Sequence, residues 1–296
     1  MIVAGHETTA NIVHFALVEL ATNPAAQRRL QRDVDAILGG RAPEEWDYET
    51  TTNALQASMV GASVNETLRL MPPVVSIPKE VSPTQDQVLN ISGEKHLLPR
   101  STYIDVTVSA VQRNPRYWPT RPSRVDPSKE SDIEDFVRER WFQTGGAGPA
   151  NLQEAEVEGA DTEDFGGFAG PDTSAQLYRP PRGAFIPFSD GARSCLGRRL
   201  AQVELLTALA VIFRSYSIEL AVDDFVPGTD AGDEKVAAMD RKQLAGLYRK
   251  AQENSRAVMA TASTRLTLKL HSKNHVPVRL VKRGEERFVS WVDEDA

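Results

Sequence analysis

The feature that most restricts the fold of this chain is the ten-residue stretch around its only cysteine, residues 188–197, with the sequence FSDGARSCLG. One glycine lies four positions before Cys195 and another two positions after it, and Arg193 lies two positions before it. The residues that follow, 198–215, carry apolar side chains at helical spacing. The sequence therefore predicts that Cys195 lies in a glycine-bent loop that opens a helix.

This position affects the chemistry of the thiol. Free amide groups at a helix N-terminus favour an anion, so a thiol held there shifts towards thiolate, the form that binds a metal. Gly191 permits backbone angles that other residues avoid, and Gly197 permits a flat ligand to approach the backbone closely. Arg193 can pair with a carboxylate near the metal, and Phe188 can cover the sulfur. The competing interpretation is a buried structural cysteine, which is common for a single free cysteine.

The pattern F-x-x-G-x-R-x-C-x-G resembles the haem-thiolate signature of the cytochrome P450 family, and every fixed position is matched. The resemblance implies that Cys195 is the proximal ligand of the iron in haem b (iron protoporphyrin IX). It also implies that Arg193 contacts a haem propionate and that Phe188, Gly191 and Gly197 belong to the cofactor loop. A thiolate ligand donates electron density to the iron and favours cleavage of the O–O bond.

A second motif lies in the first predicted helix, residues 1–22. Its glycine and paired threonines are poor helix formers, and a threonine hydroxyl can bond the carbonyl one turn back and bend the helix. The stretch AGHETT resembles the oxygen-binding motif A/G-G-x-D/E-T-T of the same family. The resemblance implies that Glu7 and Thr8 are catalytic and guide protons towards dioxygen. The alternative is an amphipathic helix with polar residues at its solvent edge.

A third motif lies in a predicted helix over residues 55–70, where Glu66 and Arg69 are three residues apart and face the same side. Alone, such a pair is typical of a surface contact of little energetic value. Within the resemblance it matches E-x-x-R, and the segment FVRERW supplies Arg140 as the third member, with Arg138 in place of the family's proline. The resemblance implies a buried structural network, in which removal of one partner leaves the others unpaired.

The remaining pattern predicts a fold that is mainly α with small β-sheets, and the resemblance implies that this is the C-terminal part of the cytochrome P450 fold. Another helix is expected after the Asn-Pro pair at 23–24, ending at the glycines at 39–40, with a solvated face over residues 27–35. Candidate strands cover residues 74–77, 87–91, 102–106, 216–222, 264–270 and 276–281. The last two could pair as a hairpin.

Two stretches, 145–181 and 223–262, are predicted to be flexible insertions. The first is rich in glycine and in acidic residues, a composition that disfavours a packed core. The resemblance implies that residues 1–296 form one partial cytochrome P450 domain, running from the oxygen-binding helix to the C-terminal β region and including these two stretches. Because most substrate-contacting segments of the family precede this region, the sequence does not identify a substrate.

Composition and motif spacing argue against several classes of protein. A net charge of −7 argues against a nucleic-acid partner, and a single cysteine cannot form an internal disulfide. No membrane anchor or signal peptide is visible in the sequence. A zinc protease is excluded, because H-E-x-x-H would need histidine at the position of Ala10. The resemblance implies that a complete member lies on the cytoplasmic face of the endoplasmic reticulum.

The leading hypothesis is a haem-thiolate monooxygenase that inserts one oxygen atom of O2 into a lipophilic organic substrate. Its partners are NADPH-cytochrome P450 reductase or another electron donor, O2 and the substrate. The alternatives are a truncated, non-catalytic remnant, or a haem-thiolate isomerase or peroxygenase of the same fold. Since complete members carry many helices before this region, we expect the chain by itself not to be a competent monooxygenase.

Overall fold

The structure, a computed structural model, describes residues 2–142, 177–226, 233–271 and 273–289. Most of the first expected insertion, residues 145–176, lies outside the described residues. The helices are α1 (Ile2–Thr22), α2 (Pro24–Leu38), α3 (Tyr48–Gln56), α4 (Met59–Leu70), α5 (Val108–Val111), α6 (Arg198–Ser215), α7 (Asp233–Ala237) and α8 (Arg241–Met259). The strands are β1 (Ser76–Glu80), β2 (Gln87–Ile91), β3 (Glu94–Leu98), β4 (Tyr103–Thr107), β5 (Tyr216–Leu220), β6 (Ser263–Thr264), β7 (Leu268–Lys269) and β8 (Val278–Lys282).

Helices α1, α2, α4 and α6 pack against one another around a single hydrophobic core. Its centre is formed by fully buried apolar side chains, including Phe15, Leu30, Met59, Leu209 and Phe213. The strands pair in four small antiparallel sheets, β1–β4, β2–β3, β5–β8 and β6–β7. The predicted fold class, mainly α with small β-sheets, is confirmed. Within the described ranges, no helix has the length and apolar character needed to cross a bilayer.

Helix α6 has the bounds that the sequence predicts. Beyond its first turns it buries one face against the core through Leu205, Leu206, Leu209 and Phe213. The apolar side chains around its start are exposed instead: Leu196, just before α6, is 82% exposed, and Leu200, in its first turn, is 71% exposed. The start of α6 thus presents apolar side chains to open space beside the cysteine loop.

The predicted single helix over residues 55–70 is wrong at one point, since α3 ends at Gln56 and α4 begins at Met59. The break arises because the Ser58 side chain accepts a hydrogen bond from the amide of Val60, which caps the new helix. The chain turns so tightly there that a Cβ atom added to Gly61 would overlap the carbonyl of Gln56. Glycine is therefore required at position 61.

We expect Gly61→Ala to lower the free energy of unfolding by about 1–3 kcal/mol, the usual cost of overpacking. The matched control is Gly246→Ala in α8, where a Cβ meets nothing within 4 Å. That change should stabilise the chain by about 0.5–1 kcal/mol, since alanine is the better helix former. Chemical denaturation measures both, and equal effects of the two substitutions would contradict the crowding at Gly61.

The predicted hairpin between residues 264–270 and 276–281 is wrong. Strand β8 pairs instead with β5, in a ladder that runs from Tyr216 opposite Lys282 to Leu220 opposite Val278. The segment after α8 turns back on itself, and Ser263 pairs with Lys269. The β5–β8 pairing forms in place of the hairpin because β5 is buried over most of its length, so the backbone groups along its edge need a partner strand.

The second expected insertion, residues 223–262, contains a packed helix. In α8, the hydroxyl of Tyr248 donates to the carbonyl of Ala21 at 2.7 Å, and the hydroxyls of Ser255 and Thr22 lie 2.7 Å apart. These side chains bind the C-terminal end of α1. Helix α8 is therefore packed against α1, and the expectation of a flexible insertion over residues 223–262 stays a prediction.

Candidate cofactor-binding site

A cavity of about 480 Å³ separates the first turns of α1 from the cysteine loop, a volume within the roughly 300–1,000 Å³ typical of ligand sites. The lining includes Ala4, Gly5 and Thr8 from α1, and Phe188, Arg193, Cys195, Leu196 and Gly197 from the cysteine loop. Apolar side chains close the sides, among them Val74, Ile77, Val108 and Ile186. The two motif-bearing segments therefore line one space.

A larger cavity, about 910 Å³, lies at the C-terminal ends of α1 and α4. It is lined by Glu19, Arg113 and Arg256 together with apolar side chains, and by neither the cysteine nor the α1 motif. The smaller cavity is therefore the candidate site, because chemistry depends on which side chains line a space rather than on its volume.

The cysteine loop is shaped by short-range hydrogen bonds. Gly191 has a φ of 72°, in the left-handed region that favours glycine, and its amide donates to the Asp190 side chain at 2.7 Å. The amide of Cys195 donates to the carbonyl of Phe188 at 2.8 Å, which closes the loop. Helix α6 begins three residues later, with Gly197 at its N-cap position. The thiol of Cys195 is free and exposed.

Two glycines, one in α1 and one in the cysteine loop, leave room for a flat group. A Cβ atom added to Gly5 or to Gly197 meets nothing within 4 Å, and both residues line the cavity. Cys195 offers a sulfur ligand on one wall, and the exposed Arg193 offers a cation on the same side. This donor set fits a flat, largely apolar cofactor that carries a thiolate-binding metal and carboxylates at its edge.

Thr8 makes the back-bond that the sequence suggests. Its Oγ1 donates to the carbonyl of Ala4 at 2.7 Å and lies 3.4 Å from the carbonyl of Gly5. The helix nevertheless continues without interruption from Ile2 to Thr22. Thr8 thus lines the same cavity as Cys195.

Glu7 does not line the cavity. Its Oε1 accepts a hydrogen bond from Lys269 Nζ at 2.8 Å and another from Thr267 Oγ1 at 3.0 Å. The hydrogen bond from Lys269, followed by that from Thr267, lowers the pKa of Glu7 below its ordinary value. Successive residues of an α-helix point about 100° apart, so neighbours in the motif reach different surroundings. The structure brings Thr8, but not Glu7, to the cavity with Cys195.

The three predicted network residues come together in the interior. Arg69 binds Glu66 with two parallel contacts of 2.8 Å, and both side chains are fully buried. Arg140 Nε lies 3.6 Å from Glu66 Oε1, and its Nη2 lies 3.1 Å from Asp132 Oδ1. The Arg69 pair is therefore bidentate, and Arg140 is held mainly by other acceptors.

Sequence reasoning missed further members of this network. The indole of Trp141 donates to Glu66 Oε2 at 2.9 Å, and the amide of Val137 donates to Glu66 Oε1 at 3.0 Å. The ring of Trp118 lies 5.3 Å from the Arg69 guanidinium. The only available signal was that Trp141 follows Arg140 directly in the chain. Glu66 is thus the hub that joins α4 to the segment around Arg140.

The pKa of Glu66 lies below its ordinary value. Burial alone would raise it, but the charge and hydrogen bonds of Arg69, together with the charge of Arg140, outweigh burial. A carboxylate of this kind stabilises the fold above its unfolded pKa, about 4.5, and that contribution is lost as pH falls through the folded pKa.

We therefore expect a pH-dependent difference in unfolding free energy between the parent chain and Glu66→Gln. The difference should be constant near neutral pH and should shrink as pH falls below about 4.5, because the parent's carboxylate becomes protonated. Chemical denaturation at a series of pH values measures it. A difference that does not change with pH would show that folding does not lower the pKa of Glu66.

Comparison with known proteins gives one consistent family. The family model for Cytochrome P450 matches residues 1–151 and 174–242. The chain is 30% identical over 246 residues to a cytochrome P450 monooxygenase of Arthrobotrys oligospora, which covers 82% of this chain and 38% of that relative. It is 32% identical over 150 residues to cytochrome P450 3A5 of Homo sapiens, covering 51% of this chain and 28% of the relative. The chain thus spans well under half the length of these relatives.

Proposed function

This chain belongs to the cytochrome P450 family, and we propose that it forms the haem-binding portion of a monooxygenase acting on a lipophilic organic substrate. The observation that supports the proposal is that Cys195 and Thr8, which belong to two separate motifs, line one cavity. The activity belongs to a complete protein, because the chain spans only 38% of the Arthrobotrys relative. NADPH-cytochrome P450 reductase or another donor supplies the electrons, and the expected location on the endoplasmic reticulum stays a prediction.

The cavity residues suit haem b. Cys195 would ligate the iron, and Arg193 would pair with a haem propionate. Phe188 shields the sulfur, while Gly191 shapes the loop and Gly197 leaves the space that a macrocycle needs. Thiolate-ligated haem supplies oxygen activation, in which one atom of O2 enters the substrate and the other leaves as water.

The residues of α1 handle protons. The Thr8 hydroxyl, now donating to the Ala4 carbonyl, is a proton donor at the cavity surface. Glu7 is about one-third exposed and exchanges protons with solvent on the neighbouring flank of the helix. In this proposal Thr8 passes protons to the cavity, whereas Glu7, held by Lys269 and Thr267 outside the cavity lining, would supply them through intervening solvent. The apolar side chains of the lining limit the access of bulk water.

Isotope labelling tests the proposed reaction in a complete, haem-loaded protein containing this chain. With NADPH, a reductase and ¹⁸O2, a monooxygenase places one labelled atom in the product of a lipophilic substrate. Incorporation of oxygen from peroxide into the product, without NADPH, would indicate a peroxygenase. A product that contains no added oxygen atom would indicate an isomerase. A haem-loaded protein with none of these activities would support the non-catalytic alternative.

Thr8→Ala should uncouple oxygen consumption from product formation in the same protein. Without the hydroxyl, protons reach the cavity only through water, so the peroxide formed per NADPH consumed should rise severalfold. Thr8→Ser, which keeps the hydroxyl, is the matched control and should stay near the parent value. If Thr8→Ala leaves the peroxide fraction unchanged, Thr8 does not pass protons.

A further inference from the structure

A fully buried glutamine, Gln112, lies between helix α4 and the loop that carries Cys195. It follows α5 directly, and its backbone amide donates to the carbonyl of Val108 at 3.0 Å. The proposed mechanism gives it no role. Because a buried amide left without partners is costly, the bonds of this side chain fix how the surrounding segments are arranged.

One end of the Gln112 side chain completes helix α4. Carbonyls in the last turn of a helix lack partners within that helix. Gln112 Nε2 donates to the carbonyls of Leu68, at 3.0 Å, and Arg69, at 3.1 Å, which uses both of its hydrogens. In return, Arg69 Nη1 donates to the backbone carbonyl of Gln112 at 3.1 Å. Gln112 is therefore fixed to the helix that carries the buried ion pair.

The other end of the side chain holds the entry to the cysteine loop. The amide of Ile186 donates to Gln112 Oε1 at 3.0 Å, and the carbonyl of Ile186 accepts from the amide of Ser189 at 3.1 Å. Two residues after Ile186, the carbonyl of Phe188 accepts from the amide of Cys195. A short chain of hydrogen bonds thus connects α4 to the residue that carries the thiol.

The orientation of the Gln112 amide is determined by its partners. A backbone N–H can only donate and a carbonyl can only accept, so the flipped amide would lose all three side-chain bonds. Nearby aromatic packing is less directional: the ring of Phe185 lies 5.1 Å from that of Trp141 and 6.1 Å from that of Trp118. Packing buries this segment, whereas Gln112 sets its register.

We infer that Gln112 is a positioning residue for Cys195. It fixes the entry of the cysteine loop to the last turn of α4 and so sets where the thiolate stands in the cavity. The inference rests on the proposed function, in which Cys195 binds the iron of haem. A glutamine suits this position because one side chain must offer two donors to carbonyls and one acceptor to an amide.

The test uses the haem-loaded full-length protein carrying Gln112→Met, a change to a residue of similar size. It asks how long the thiolate–iron bond persists in this variant. The measured quantity is the rate at which the red-shifted Soret band of the reduced, CO-bound form converts to that of a non-thiolate form. We expect it to be at least about tenfold faster than in the parent, because the substitution leaves three buried backbone groups unpaired and one such group alone corresponds to about that factor. Gly61→Ala is the control, since it lowers stability without touching the loop.

A Gln112→Met protein that keeps its thiolate band as long as Gly61→Ala does would overturn the inference.

A second measurement needs no substitution at Gln112. In the haem-free chain labelled with ¹⁵N-isoleucine, the Ile186 amide, assigned with Ile186→Val, should exchange slowly with solvent. Exchange as fast as in an exposed loop would also overturn it. Absence of a thiolate band in the parent protein would contradict the proposed function, not the contact of Gln112. In that case, slow exchange of the Ile186 amide would still show that Gln112 holds the entry of the cysteine loop.

Discussion

Glu66→Ala should lower the free energy of unfolding by about 3–5 kcal/mol, the range found when one partner of a buried ion pair is removed. The substitution leaves the guanidiniums of Arg69 and Arg140 in the interior without their shared carboxylate. It also removes the acceptor of the Trp141 indole and the Val137 amide. Because domains are stable by only about 5–15 kcal/mol, much of the variant should be unfolded or insoluble.

The matched control is Glu134→Ala. Glu134 pairs with Lys129 at the same distance of 2.8 Å, but both side chains are about half exposed, so its removal should change stability little. Denaturant unfolding of parent and variants gives the comparison, and soluble yield serves where a variant is too unstable to measure. A soluble, haem-loaded Glu66→Ala protein with parental stability would contradict the buried hub.

Cys195→Ser should abolish oxygen insertion by the full-length protein while leaving the fold unchanged. The thiolate supplies the electron density on which O–O cleavage depends, and a hydroxyl does not replace it. The thiol itself is exposed and adds nothing to the core, so the free energy of unfolding of the haem-free chain should stay at the parental value. Turnover with a lipophilic substrate and denaturant unfolding are the two measurements.

The control for this substitution is Ser194→Ala, one residue earlier, whose side chain is absent from the cavity lining. It should keep the parental turnover. A Cys195→Ser protein that still inserts oxygen at the parental rate would remove the cysteine from the mechanism. Loss of stability in Cys195→Ser would instead favour the structural role that single cysteines often have.

Much of the fold follows from local sequence signals. Helix α6 has its predicted bounds because apolar spacing and the glycine before it agree, and α2 starts at Pro24 and ends before Gly39 for similar reasons. The break between α3 and α4 was missed because a serine cap interrupts a continuous apolar pattern. Strand β3 was missed as well, since Glu94–Leu98 is polar at its start and mostly exposed.

Contacts distant in sequence could not be predicted from local pattern. Gln27 and Gln31 lie in a charged stretch expected to be solvated, yet both are fully buried. Gln27 exchanges two hydrogen bonds of 2.7 Å with the backbone of Ile218, and Gln31 donates to Ser217 Oγ at 2.7 Å. The edge of β5 needs partners, and glutamine side chains can supply both a donor and an acceptor.

In the candidate site, too, local motifs were predictable from the sequence, whereas contacts distant in sequence were not. Motif spacing was enough to pair Glu66 with Arg69 and to bring Thr8 and Cys195 to one cavity. It did not indicate that Glu7 turns towards Lys269, which lies 262 positions later and belongs to no motif. Nor did it indicate Gln112, whose three side-chain bonds all reach segments remote in sequence.

The most direct measurement of the central claim, that Cys195 is placed to bind haem iron, is the reduced, CO-bound absorption spectrum of this chain expressed with a haem precursor. The chain contains a single cysteine, so any thiolate signal is assigned without ambiguity. The account predicts the red-shifted Soret band of a thiolate–CO complex, lost in Cys195→His. Haem bound without that band, or a band that survives in Cys195→His, would contradict it.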